Sequence, residues 1–160
     1  MSELDSSRFI IANRHIYISH SAKDKTEELL QLEFIDEGIV GEDGKNLRMF
    51  EDSAQVFALG VTIGLLKTNS PKQCNVKASN GNDVLIGASF RDKDKSNVLP
   101  ILVVARHQDL ASEDVTTMAK PIFDKLQDYF EVGIVELWNY YKDNENNINI
   151  EELVDSLLNK

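Results

Sequence analysis

Glycine is among the residues an α-helix tolerates least, yet this sequence places it inside its two most apolar segments. Segment 50–64, Phe-Glu-Asp-Ser-Ala-Gln-Val-Phe-Ala-Leu-Gly-Val-Thr-Ile-Gly, carries Gly60 and Gly64. Segment 121–138, Pro-Ile-Phe-Asp-Lys-Leu-Gln-Asp-Tyr-Phe-Glu-Val-Gly-Ile-Val-Glu-Leu-Trp, carries Gly133. Each mid-helix glycine costs about 0.5–1 kcal/mol relative to alanine. Glycines four apart share a helix face, so Gly60 and Gly64 imply close approach by another backbone. In a bilayer this spacing signals helix dimerisation, but no segment here approaches the ~18 consecutive apolar residues of a span. Tight packing inside a helical core is therefore expected, with Phe50, Phe57, Gly60, Gly64, Phe123 and Gly133 as its packing residues.

The remaining pattern predicts a mainly α (α+β) chain: a single compact helical domain with two or three short strands. Residues 1–8 are polar, and 1–12 are expected to be disordered or frayed, leaving 13–160 as one globular domain. His15-Ile-Tyr-Ile-Ser19 alternates as a strand does, and Ser21 or Asp24 is placed to cap a helix running to about Leu32. Residues 37–46 and 68–82 carry turn chemistry, and Arg91 to Lys95 a solvated turn. Asp52 or Ser53 should open the first glycine-bearing helix. Val84 to Phe90 reads as a strand or an extended piece, and 98–105 as a helix capped by Ser96 in spite of Pro100. Ser112-Glu-Asp is a helix start. From Ile122, apolar residues at 122, 123, 126, 129, 130, 134, 137, 138 and 141 trace an amphipathic helix of five turns or more. Pro121 marks its first turn or a kink. Asn149 and Glu152 resemble a capping box for a last short helix.

The net charge of −10 is uneven: residues 107–160 hold 4 basic and 12 acidic side chains, against 13 and 15 in residues 1–106. The C-terminal third therefore cannot neutralise nucleic-acid phosphates directly. One cysteine, Cys74, excludes an internal disulfide and fits a reducing compartment. With neither a secretory signal pattern nor a membrane span, a cytoplasmic location is expected.

No catalytic residue, cofactor or metal follows from these residues. His15, His20, His107 and Cys74 lack zinc-like spacing, and no GxxxxGK[ST] or GxGxxG pattern is present. Segment 141–152 resembles an EF-hand loop, with Asp143, Glu145 and Glu152 at its third, fifth and twelfth positions. Its first and sixth positions are Tyr141 and Asn146, where calcium binding requires an acid and a glycine. Among the aromatic residues of the long helix, Tyr140 and Tyr141 are the candidates for an exposed, partner-binding edge.

Two resemblances bear on function. His15-Ile-Tyr-Ile-Ser-His-Ser-Ala-Lys-Asp-Lys25 resembles the opening strand and loop of a TIR domain, which implies an alternating strand–helix fold and NAD hydrolysis. The stronger resemblance spans residues 46–140: Phe50, then Val56-Phe-Ala-Leu-Gly60, the apolar stretch 99–105, the acidic turn 110–114, and Ile122-Phe through Gly133 to Leu137. These resemble the DNA phosphorothioation-associated protein 4 family, small accessory proteins of the Dnd system. That resemblance implies a non-enzymatic accessory or adaptor of a bacterial DNA-modification or phage-defence system, acting through protein contacts. Its partners would include DNA-processing enzymes. The acidic C-terminal third adds an alternative, an acidic DNA mimic that occupies a basic groove on a partner.

Overall fold

The computed structural model describes residues 15–33, 47–74, 82–86, 98–111 and 115–159. Among them, β1 (His15–Ile18) leads into α1 (His20–Leu29), and α2 (Ser53–Lys67) precedes β2 (Asn82–Ile86). Then come α3 (Val98–Arg106), a 3-10 turn (Gln108–Leu110), α4 (Val115–Asp143) and α5 (Ile150–Leu158). The fold is mostly helical. β1 and β2 form an antiparallel two-stranded ribbon whose register shifts between Ile16 and Tyr17. That pairing corrects the TIR expectation, which requires parallel strands separated by helices.

The largest interface lies between α2 and α4. α4 is 29 residues long, about 43 Å at 1.5 Å per residue. α2 is apolar nearly all round, and buries Ala54, Val56, Phe57, Gly60, Val61, Ile63, Gly64 and Leu65. The two helices cross on their glycines. A Cβ added at Gly133 would land on the carbonyl oxygen of Gly60 and 2.9 Å from the backbone nitrogen of Gly64. One added at Gly64 would land on the carbonyl of Tyr129, and one at Gly60 would lie 2.5 Å from the Phe130 ring. Phe57 and Phe130 flank this crossing with ring centroids 4.9 Å apart. Ile16, Ile18, Leu29, Ile122, Leu126, Ile134 and Leu137 complete the core around it.

Local chemistry explains the helix ends. Asp52 caps α2 by accepting from Gln55 N at 3.1 Å. Asn149 caps α5 by accepting from Glu152 N at 3.1 Å. α1 is capped by Ser19, not by Ser21 or Asp24, and ends at Leu29. Ser19 is the first residue beyond the strand and keeps an extended backbone (φ −65°, ψ 157°), which aims its Oγ at Ala22 N, 3.1 Å away. Pro121 neither opens nor breaks α4, because the helix already runs from Val115. The expectations for residues 1–12, 37–46, 75–81, 87–97 and 112–114 lie outside the described residues.

Candidate functional site

α4 carries polar side chains on a face otherwise given to the core. Gln127 and Asp128 are each only 4% exposed, and Glu131 follows within one turn. Buried polar groups must find hydrogen-bond partners, and these find them on backbone. Gln127 Oε1 accepts from Tyr17 N at 2.9 Å. Glu131 accepts from the backbone and hydroxyl of Ser19. Tyr17 lies in β1 and Ser19 just past its end, and Gln127 and Glu131 are four apart on one face of α4. The helix thus supplies acceptors where β1 would otherwise need another strand. Asp128 Oδ1 accepts from Cys74 N at 3.0 Å and from its Sγ at 3.1 Å, pinning the chain beyond α2.

Beside this stripe lies a cavity of about 420 Å³ lined by Lys72, Gln73, Cys74, Glu131 and Val132. Burial, with Asp128 adding to it, holds the Glu131 carboxyl above its ordinary range, against the opposing pull of Ser19 and Lys25. Its Oε2 is buried without a hydrogen-bond partner. This corner fastens a helix to a strand and a loop.

A second polar group closes the end of α2. The Arg106 guanidinium, from the last turn of α3, donates to the carbonyls of Leu65 and Thr68. A cation there satisfies C-terminal carbonyls and suits the helix dipole. Tyr129 is fully buried, and its hydroxyl hydrogen-bonds His107 Nε2 at 2.5 Å and reaches the Asn69 carbonyl at 3.4 Å. Burial and the nearby Lys125 lower the His107 pKa, which favours the neutral ring that such a bond uses.

The packing residues named from sequence come together at one place: Phe50, Phe57 and Phe123 are buried in the core that surrounds the glycine crossing. The two tyrosines do not form an exposed edge. Tyr141 is 4% exposed, with its ring 5.3 Å from that of Trp138 and its hydroxyl 3.4 Å from Glu28. Tyr140 is half-buried and donates to the Asn149 carbonyl at 3.0 Å. Helix continuation explains the difference: α4 extends through Asp143, so residue 141 repeats the buried phase of 134 and 137. The same continuation removes the EF-hand geometry, since Tyr141 and Asp143 are helical rather than part of a loop. Glu145 and Asn146 make the turn, with φ of 57° and 59°. Among the described residues, no group of three or more His, Cys, Asp or Glu could hold a metal ion.

Exposed apolar surface occurs elsewhere. On α3, Leu99, Pro100 and Val103 face the core, while Val98, Ile101 and Leu102 are 46, 59 and 46% exposed. The spacing i, i+3, i+4 makes these three one helix face. The sequence signal was a nine-residue helix with no polar side until Arg106. No described helix is long and apolar enough to cross a membrane. Comparison with protein-family models, with curated proteins and with solved structures finds no match to this chain.

Proposed function

We propose that this protein is a non-enzymatic accessory of a bacterial DNA-modification or phage-defence system of the phosphorothioation type, and that it works by binding a protein partner. One structural observation carries the reading: the exposed face of α3, formed by Val98, Ile101 and Leu102. An apolar stripe on a helix anchored by its opposite side is the kind of surface that buries itself in a partner. The residues that resemble the DNA phosphorothioation-associated protein 4 family supply the system. Of these, 56–60 and 122–137 lie at the α2–α4 crossing, which is scaffold, while 99–105 belongs to α3, whose outer face that scaffold presents. The test is co-purification of the tagged chain from its native host. A DNA-processing protein should be recovered by the unchanged chain and lost with Ile101→Asp. Recovery of no such protein, or recovery unaffected by that substitution, overturns the reading.

A further inference from the structure

We infer that the outer face of α5 docks a basic, amphipathic helical segment of a protein partner. The inference deepens the accessory reading by naming a partner chemistry at a second surface. α5 reads Ile-Glu-Glu-Leu-Val-Asp-Ser-Leu-Leu, with three acids and no base. Leu153 is buried and Leu157 half-buried, so that side of the helix is held by the body. Val154 and Leu158, four residues apart and therefore on one face, are 44% and 66% exposed. The exposed carboxylates of Glu151 and Asp155 border them on the same helix. Lys142, at the end of α4, is committed elsewhere: it pairs with Glu28 at 3.2 Å and sits 4.6 Å over the Trp138 ring.

Charge decides what can cover this strip. A second copy meeting it through the same face would bring Glu151 and Asp155 against their own counterparts. Nucleic acid and anionic membranes are repelled for the same reason. A helix with leucine-like residues at i, i+3 and i+4, edged by Lys or Arg, satisfies both requirements at once. Its apolar side covers Val154 and Leu158, and its cations meet Glu151 and Asp155.

The probes are a synthetic amphipathic helix of leucine and lysine and its leucine–glutamate counterpart, each titrated into the isotope-labelled full chain and followed by NMR. The lysine peptide should shift resonances concentrated in 150–158. Its affinity should fall severalfold as salt rises from about 50 to 200 mM, because exposed charge pairs are screened over that range. Val154→Ser with Leu158→Ser should weaken it about tenfold, the scale of losing two aliphatic contacts. Glu151→Gln with Asp155→Asn should flatten the salt dependence. Equal binding of the glutamate peptide, shifts scattered over the whole surface, or unchanged affinity in the Val154/Leu158 pair would overturn the assignment. Ile101→Ser should leave peptide binding intact. Loss of this interaction with co-purification through α3 retained therefore removes the α5 site alone.

Discussion

The α2–α4 crossing and the outer helices α3 and α5 treat apolar residues in opposite ways. At the crossing, three glycines let backbone lie on backbone, and there is no room for one added methyl group. On α3 and α5, large aliphatic side chains stand in solvent although each helix also has a buried side. A close-packed interior leaves few alternatives in residue choice and reports on the scaffold. An apolar outer face is not required by the scaffold and points to what the scaffold carries. The segments that resemble a family fall in both kinds of region: 56–60 and 122–137 at the crossing, and 99–105 in α3, whose outer face would perform the function.

Substitutions sharpen that contrast. The largest effect should come from Gly133→Ala, whose Cβ meets the Gly60 carbonyl and cannot be relieved by a side-chain rotation. Urea unfolding should register a loss of about 3 kcal/mol or more, and Gly64→Ala should behave similarly against the Tyr129 carbonyl. Gly60→Ala should cost less, because its obstacle is the Phe130 ring and not backbone. Equal tolerance of alanine at all three positions would break the comparison.

Next in size is Gln127→Leu, which keeps bulk but leaves Tyr17 N without its acceptor. Losing the acceptor of this half-buried N–H should cost about 1 kcal/mol, and hydrogen exchange of the Tyr17 amide should accelerate. Protection unchanged from that of the unmodified chain would show that another acceptor serves β1.

A smaller effect depends on pH. The folded Glu131 pKa is raised from 4.5 by burial, then opposed by Ser19 and Lys25 and assisted by Asp128. The folded protein therefore binds this proton more tightly than the unfolded chain does. Ionised Glu131 destabilises the fold above its raised pKa, and that cost fades as pH falls toward 4.5. Glu131→Gln should thus improve on the unmodified chain most at neutral pH, with the advantage shrinking on acidification. A stability difference that stayed constant with pH would contradict the burial argument.

The smallest change in stability belongs to the outer face. Ile101→Ser should stay within about 0.5 kcal/mol of the unmodified chain, because the side chain is already 59% exposed. A destabilisation as large as that of Gly133→Ala would mean that α3 is covered within the chain, leaving no face for a partner.

Local rules made several elements legible. The 3.6-residue period of 122–141 marked α4, Asp52 and Asn149 announced their helices, and the alternation of 15–18 marked β1, because each rests on neighbours a few residues away. Helix spacing also placed Gly60 and Gly64 on a shared face. Their common contact with Gly133, 69 positions beyond Gly64, depended on how α2 and α4 cross. Gln127, Asp128 and Glu131 fall between the apolar positions of α4, and nothing in their spacing marks them as buried. Only tertiary structure turned them inward, where they accept from the backbone of Tyr17, Ser19 and Cys74. Tyr141 fell on the apolar stripe of 122–141, and its burial follows that period and not the expectation of an exposed edge. Periodicity determined what each segment could bury, and long-range packing decided which polar groups joined the interior and which apolar faces stayed outside.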